Sequence, residues 1–367
     1  MDVNFLELDI ATLRNNISII KEYTQTKLCL PVKADAYGHN LNLVVKNTKD
    51  IVDFYATACA SEALDVYKSS SAKPILIFGV IETFYLKELI DKEIRVSIHS
   101  FKDIDIIERY AKQSSKKAKI HIFINTGMNM LGVDCEHIVD IVKKVRESEY
   151  IDLEGIYSHL ACADEKNHPF NQTQINKFIE IQTFIKSIDT KIMCHLANSY
   201  GCVGQDNINF DMVRPGILSY GFLPEFSVDE RLKSIRPVAK LVTQIVKLIK
   251  LDKICEVGYS VSYIGKKDEV IAILPVGYGD GFPRELGNNG FVYIKDIPYP
   301  IVGRINMDAL AISLGINEQN FGVGDEVELI SNISERKNSV KTIAKNLQTI
   351  EYDIIATLNQ RILRKET

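Results

Sequence analysis

One lysine at the end of an apolar run is the most chemically suggestive feature of the sequence. Residues 28–38 read Leu-Cys-Leu-Pro-Val-Lys-Ala-Asp-Ala-Tyr-Gly, so the run ends on Lys33, and Tyr37 and Gly38 follow closely. Burial at such a strand end lowers the pKa of a lysine and turns its amine into a nucleophile or a base. The segment is typical of a lysine that forms a Schiff base, either with a carbonyl substrate or with pyridoxal phosphate (PLP). The alternative is a lysine that simply extends from the strand end into solvent.

The composition restricts the classes of partner. The chain has 367 residues, 46% of them hydrophobic and 25% charged, with a net charge of −4. These values do not favour nucleic acid or an anionic membrane surface as a partner. No apolar stretch approaches the roughly 18–20 residues that span a bilayer, and the first residues lack the pattern of a signal peptide. Seven scattered cysteines without a C-x-x-C pair predict a reduced, cytoplasmic protein without a metal site.

Short apolar runs alternate with helix-like segments over the first part of the chain. The runs begin near Leu28, Tyr55, Pro74, Arg95, Lys119, Asp152, Ile192 and Met212. Amphipathic segments lie between them, among others at 61–69, 101–113 and 171–187. This alternation predicts a (β/α)8 barrel over residues 1–235. Active sites of such barrels lie at the C-terminal ends of the strands. The sequence places polar residues at these ends: Lys33, Asn125, His159, Asn198 and Arg214.

The sequence pattern changes near residue 235. Short β-branched runs follow, separated by Gly, Pro, Asn and Asp, at 239–251, 270–274, 291–294 and 326–329. They predict a mostly-β domain over 236–367, with one late helix at 339–346. The strand predicted at 5–10 is a candidate member of the same β domain.

Four further parts of the chain carry residues capable of chemistry. They are residues 157–164 with His159, residues 195–199 with Asn198, residues 212–217 with Arg214, and turns of the predicted β domain with Tyr259, Tyr278, Met307 and Asp308. Taken singly, each histidine could be a core residue and each glycine-rich segment only a turn. Their combination and order, together with the lysine motif, are far more specific.

With these motifs in this order, the chain resembles the alanine racemases over nearly its whole length. Members of that family are PLP-dependent and combine an N-terminal barrel with a C-terminal β domain. The motif at 32–39, Val-Lys-Ala-Asp-Ala-Tyr-Gly-His, is highly characteristic of them. The resemblance implies interconversion of L- and D-alanine, which supplies D-amino acids for peptidoglycan, by two bases on opposite faces of the substrate. It implies that Lys33 holds PLP and acts as one base, and that Tyr259 from the other subunit of a homodimer is the second.

The resemblance also implies how cofactor and substrate are held. Arg214 is expected to donate to the pyridine nitrogen; because arginine does not give up its proton, this nitrogen stays unprotonated and PLP withdraws electrons less strongly. The residues expected to hold the phosphate are Tyr37, Ser199, Gly216 and Ile217. His159 is expected in the hydrogen-bond network around Tyr259 and Arg214, with His195 behind it and Asn198 among the cofactor-binding residues. The residues expected near the substrate and the entrance of the site are Met307, Tyr278 and Asp308.

Three positions depart from the family pattern. Met130 stands where the family usually has an arginine that binds the PLP phenolate oxygen and orients the substrate carboxylate. Phe123 stands where a lysine, often carbamylated, positions that arginine. Gln360 replaces a tyrosine that bounds the substrate pocket, and its amide could admit and hydrogen-bond a larger polar amino acid such as serine.

These departures make the chain similar also to the serine/alanine racemase domains of glycopeptide-resistant bacteria, which are attached to a membrane segment. A serine-preferring racemase, present as an excised cytoplasmic domain, is therefore a second expectation. Three rival interpretations are a PLP-carrying barrel protein without turnover, a fold-related amino-acid decarboxylase and a cofactor-free barrel enzyme. Carrier proteins generally lack the second domain. Decarboxylases usually have a glycine-rich phosphate loop and a late cysteine motif, and this sequence shows neither.

Overall fold

The computed structural model describes residues 3–70, 72–227 and 229–367. The chain divides into two compact units. The barrel unit comprises residues 14–36 and 41–235, and the β unit comprises the described residues up to 13, residues 37–40 and residues 236–367. None of the helices in the described residues is long and apolar enough to cross a membrane.

The barrel unit is built on parallel strands. The first strand of the chain, β1 (Phe5–Leu8), belongs to the β unit. The strands of the barrel unit are β2 (Lys27–Pro31), β3 (Phe54–Thr57), β4 (Ile75–Ile77), β5 (Arg95–Ile98), β6 (Ala118–Asn125), β7 (Val133–Asp134), β8 (Ile151–Tyr157), β9 (Met193–His195) and β10 (Met212–Val213). Eight of them pair in the order β10-β2-β3-β4-β5-β6-β8-β9, and the short β7 pairs with β6. A parallel bridge between Asn198 and Arg214 links the two ends of this order, so the sheet is nearly closed.

Helices alternate with these strands. They span Ile10–Thr24, Leu41–Thr48, Ala60–Ser69, Thr83–Asp91, Phe101–Ser114, Ile138–Glu147, Pro169–Ile188 and Gly201–Gly204, with 3-10 turns at Cys135–His137 and Glu230–Leu232. The strands are apolar on both faces, as in β2, where Leu28, Cys29 and Leu30 are completely buried. This is the pattern of a parallel sheet covered by helices on one side and filled by side chains on the other. The prediction of a (β/α)8 barrel is confirmed.

The β unit contains a nine-stranded sheet and a separate hairpin. Its remaining strands are β11 (Ala239–Gln244), β12 (Lys247–Lys250), β13 (Cys255–Val257), β14 (Tyr263–Gly265), β15 (Val270–Leu274), β16 (Phe291–Ile294), β17 (Ile297–Val302), β18 (Leu310–Ser313), β19 (Glu326–Ile330) and β20 (Leu363–Glu366). The sheet order is β12-β15-β18-β17-β16-β19-β11-β1-β20, and β13 pairs with β14. A mostly-β second part of the chain, as predicted, is confirmed.

Three short 3-10 turns and two helices complete the β unit. The turns lie at Tyr259–Val261, Tyr278–Asp280 and Arg284–Leu286, and the helices at Val340–Leu347 and Glu351–Ala356. The second helix was not predicted, because six residues are too short to show helical periodicity. Ile10 begins a helix, so the first strand is shorter than the predicted 5–10.

Candidate active site

Lys33 is followed by a backbone conformation that L residues rarely adopt. Residues 34–37 all have φ between 51 and 55°, which makes them a left-handed turn directly after the end of β2. Glu62 accepts a hydrogen bond at 2.7 Å from the first N–H of this turn, and Asp35 accepts one at 2.7 Å from the N–H of Leu41. Such conformations persist only where the surrounding structure holds them, and they concentrate at functional sites.

The amine of Lys33 combines access with desolvation. The residue as a whole is exposed in the single chain. Burial of its charged group nevertheless lowers the pKa of Lys33, and the nearby carboxylate of Glu62 opposes this shift only in part. A larger share of the amine is therefore unprotonated near neutral pH than in a free lysine, as a nucleophile or a base requires.

Arg214 is fixed at the end of β10 by three hydrogen bonds. It is 4% exposed, and its Nη1 lies 2.6 Å from Nδ1 of His195. Its Nη2 donates to the carbonyl oxygens of Ser158 at 2.6 Å and Leu196 at 3.0 Å. The guanidinium carbon lies 5.3 Å from the ring centre of Tyr157. Among the described residues its Nε–H has no acceptor, so this donor is available to a bound group.

The turn after β10 presents backbone donors. Leu218 donates its N–H to Oγ of Ser199 at 3.3 Å, and the N–H of Ser219 bonds back to the carbonyl of Gly216 at 2.9 Å. Within the described part of the chain, the N–H groups of Gly216 and Ile217 have no hydrogen-bond partner. Unpaired N–H groups at the start of a turn, next to a hydroxyl, suit a phosphate.

His159 and Asn198 lie next to each other in the barrel unit. Nδ2 of Asn198 is 3.4 Å from Nε2 of His159, and Oδ1 of Asn198 accepts from the N–H of Gly201 at 2.9 Å. Burial lowers the pKa of His159, and the positive charges of Arg214 and Lys33 act in the same direction. In the described residues His159 makes no direct hydrogen bond to Arg214, whose histidine partner is His195.

An aromatic column lies beside Arg214, and Tyr157 is a member that sequence reasoning missed. Phe123 stacks on Tyr157 with ring centres 4.7 Å apart, and Tyr157 stacks on His195 at 4.9 Å. Phe123, at the position where the resemblance leads one to expect a lysine, packs against an aromatic ring. Met130 is 75% exposed, in a loop that the side chain of Asn125 organises. The signal for Tyr157 was its position at the end of β8.

The candidate residues of the β unit are mostly exposed. Tyr259, between β13 and β14, is 68% exposed, Met307 53% and Tyr278 42%. The N–H of Tyr278 donates to the carbonyl of Asn306 at 3.0 Å, so Tyr278 and Met307 are neighbours. Arg361 holds the carboxylates of Asp308 at 2.8 Å and Asp280 at 3.3 Å.

Gln360 and Tyr37 complete the predicted set in this unit. Gln360 is exposed and directly precedes the Arg361 that binds Asp308. Tyr37 is buried, with its ring centre 5.8 Å from that of Tyr352. The structure therefore brings Tyr278, Met307 and Asp308 together with Gln360 nearby.

No cluster of three or more potential metal ligands is found in the described residues, and all seven cysteines are free. The donors that are present fit PLP instead: an accessible amine at Lys33, a fixed cation with an unused Nε–H at Arg214, and unpaired N–H groups at 216 and 217.

Comparisons with known proteins agree with this chemistry. The family model "Alanine racemase, N-terminal domain" matches residues 8–224, and "Alanine racemase, C-terminal domain" matches residues 238–366. An alanine racemase of Francisella tularensis subsp. novicida (strain U112) is 52% identical over 367 residues, which cover 99% of this chain and 100% of the relative. Two solved structures superpose closely. An alanine racemase of Clostridium difficile 630 has a TM-score of 0.93 at 29% identity, covering 100% of this chain and 96% of its own. One from Bacillus anthracis with bound L-Ala-P has a TM-score of 0.90 at 27% identity, with 100% and 95% covered.

Proposed function

Since the chain belongs to the alanine racemase family, we propose that it interconverts L- and D-alanine with PLP as its cofactor. The observation that carries the proposal is the buried Arg214, whose terminal nitrogens are held by the protein while its Nε–H is unused. A decarboxylase needs a strong electron sink, and an arginine at the pyridine nitrogen does not supply one.

Each candidate residue then has a task. When bound, PLP withdraws electrons from the Cα–H bond of the amino acid and acidifies it. Lys33 holds the cofactor through its amine and exchanges a proton at one face of Cα, and Tyr259 does so at the opposite face. Arg214 donates to the pyridine nitrogen. The phosphate is held by Tyr37, Ser199, Gly216 and Ile217, while His159 and Asn198 line the cofactor side.

The proposal includes a homodimer with shared sites. We assign the barrel domain to residues 1–235, apart from the first strand, which joins the sheet of the β unit, and the β domain to 236–367, with the β domain completing the site of the partner subunit. The exposure of Tyr259, Met307 and Tyr278 in the single chain supports this assignment, because catalytic side chains need enclosure in the working enzyme. Small-molecule amino acids are the substrates, and the cytoplasm, where thiols stay reduced, is the proposed location.

Formation of D-alanine from L-alanine by the purified protein tests the activity. Lys33→Ala should lose both the visible absorption of covalently held PLP and racemisation, because no other residue is assigned to bind the cofactor covalently. Lys27→Ala is the matched control, since Lys27 begins the same strand, β2, at its exposed end.

The outcomes separate the rival functions. Wild-type protein that absorbs as a PLP protein but racemises neither alanine nor serine would be a carrier. Protein without visible absorption would be a cofactor-free barrel enzyme. Covalent PLP that persists in Lys33→Ala would reject only the assignment of Lys33 as the residue that binds PLP, and not the proposed activity.

A further inference from the structure

A third buried histidine extends the hydrogen bonds behind Arg214. Nη1 of Arg214 lies 2.6 Å from Nδ1 of His195, and Nε2 of His195 lies 2.8 Å from Nδ1 of His121. Both histidines are completely buried. Nε2 of His121 has no hydrogen-bond partner among the described residues. The roles proposed above leave His121 unassigned.

Arg214 determines where the protons of this row lie. A guanidinium only donates, so Nδ1 of His195 accepts and the proton of its neutral ring is on Nε2. This Nε2–H then donates to Nδ1 of His121, whose own proton must be on Nε2. Burial, followed by the positive charges of Arg95 and Arg214, lowers the pKa of His121 to about 3. Burial and the charge of Arg214 also lower the pKa of His195, so both rings are neutral near pH 7.

The strands around His121 accommodate its ring in a specific way. A Cβ at Gly155 of β8 would lie 2.5 Å from Nδ1 of His121, so only glycine leaves room for it. The pairing of β6 with β8 shifts register between Ile120 and His121, next to this contact. The ring of Phe54 packs edge-on at 6.4 Å. Because a buried N–H without an acceptor is unfavourable, packing alone does not explain an imidazole here.

We infer that His121 is a positioning residue of the racemase: it accepts from His195, stabilises the tautomer of that ring which Arg214 requires, and thereby holds the Arg214 guanidinium in its orientation. Without this acceptor the Nε2–H of His195 is buried and unpaired. A shift of its proton to Nδ1 would relieve that, but the proton would then face the donor of Arg214. In both cases the ring of His195 is held less firmly against Nη1 of Arg214. The guanidinium is then less well oriented, although its bonds to the carbonyls of Ser158 and Leu196 remain. The kinetic consequence rests on the proposed function; the proton positions do not.

Two variants separate the acceptor from the volume of the ring. The side-chain oxygen of asparagine can accept near the position of Nδ1, whereas leucine cannot accept at all. In the PLP-loaded enzyme, His121→Leu should lower kcat for alanine about tenfold, as the loss of one hydrogen bond predicts, with KM changed less than about twofold. His121→Asn should keep kcat within about threefold of wild type. Tyr55→Phe, which removes a buried hydroxyl from β3, controls for a general loss of stability.

Nitrogen-15 NMR of histidine-labelled protein reads the proton positions without catalysis. His121 and His195 should both be neutral Nε2–H tautomers between about pH 6 and 8. His121→Leu should change the His195 signals, and His121→Asn should preserve them. A proton on Nδ1 of His121, or wild-type kcat in His121→Leu, overturns the inference. If His121 and His195 are both Nε2–H tautomers but the wild-type protein has no racemase activity, the proposed function is refuted while the arrangement of protons is supported.

Discussion

Replacing Arg214 by lysine keeps the positive charge and removes the planar guanidinium. Arg214 donates to Nδ1 of His195 at 2.6 Å and to the carbonyls of Ser158 and Leu196 at 2.6 and 3.0 Å. A lysine ammonium reaches at most one or two of these acceptors from its single nitrogen. If two acceptors are left unpaired at about 1–3 kcal/mol each, the variant loses roughly 2–6 kcal/mol of folding stability.

The same variant changes the chemistry at the pyridine nitrogen. A buried lysine has a lowered pKa and can transfer its proton to that nitrogen, which arginine does not do. With PLP bound, a proton on that nitrogen would strengthen the electron withdrawal that the cofactor supplies, and transamination would compete with racemisation. We expect kcat for alanine to fall about a hundredfold, which corresponds to about 2.7 kcal/mol, and side transamination to increase.

Urea unfolding at fixed protein and PLP concentration measures the stability term. D-alanine formation and pyridoxamine phosphate accumulation measure the two reactions. Arg95→Lys is the matched control, because Arg95 binds Glu154 through two nitrogens at 2.7 and 3.0 Å and has no assigned role in catalysis. Wild-type kcat without side transamination in Arg214→Lys would refute the role of the guanidinium, as would an equal loss of kcat in Arg95→Lys.

Four further outcomes are expected. Tyr259→Phe should retain bound PLP but racemise alanine slowly. In this variant the α-proton of D-alanine should still exchange with solvent better than that of L-alanine, and an equal loss of exchange for both isomers would reject two separate bases. Mixing inactive Lys33→Ala with inactive Tyr259→Phe should restore some activity, because one site of a mixed dimer has both residues; subunit exchange without recovered activity would contradict the shared site. Wild-type protein should racemise serine at a rate comparable with alanine, and Gln360→Tyr should shift preference toward alanine by roughly ten- to a hundredfold; wild type without serine activity would refute the wider pocket. Burial lowers the pKa of His121 to about 3, whereas an unfolded histidine has a pKa of about 6.5. As the pH decreases from about 6.5 to 3, the unfolded state therefore binds a proton that the folded state does not, and the free energy of unfolding should decrease by up to about 1.4 kcal/mol per pH unit. Urea titrations at several pH values should show a smaller slope in His121→Leu.

The barrel strands were accessible from the sequence because a buried parallel strand is a continuous apolar run. Each predicted start lies within one residue of the observed one, from Leu28 for β2 to Met212 for β10. Strands of the β unit were harder to find when their side chains are polar. In β20, residues 363–366 read Leu-Arg-Lys-Glu and are largely exposed, so neither alternation nor hydrophobicity marks them.

The candidate site could be predicted only where a polar residue interrupts an apolar pattern at a strand end. Lys33, His159 and Arg214 have this signature. His121 lies inside the run Lys-Ile-His-Ile-Phe-Ile and reads as one polar residue of a strand. Its contact with His195 depends on the pairing of β6, β8 and β9, which no local pattern contains.

The turn after Lys33 is the clearest conflict between local preference and structure. Alanine in the left-handed region costs roughly 1–2 kcal/mol, so residues 34–37 together store several kcal/mol. The surrounding protein must supply this energy. Glu62 does so in part, since its two oxygens accept from the N–H groups of Ala34 at 2.7 Å and Ala58 at 2.9 Å and tie the turn to the end of β3. A backbone held in this way gives the amine of Lys33 a rigid support, which proton transfer at a fixed face requires. The segment Ala-Asp-Ala has no residue that favours positive φ, so the sequence does not predict this turn. The backbone conformation that local preference disfavours is the one that supports Lys33.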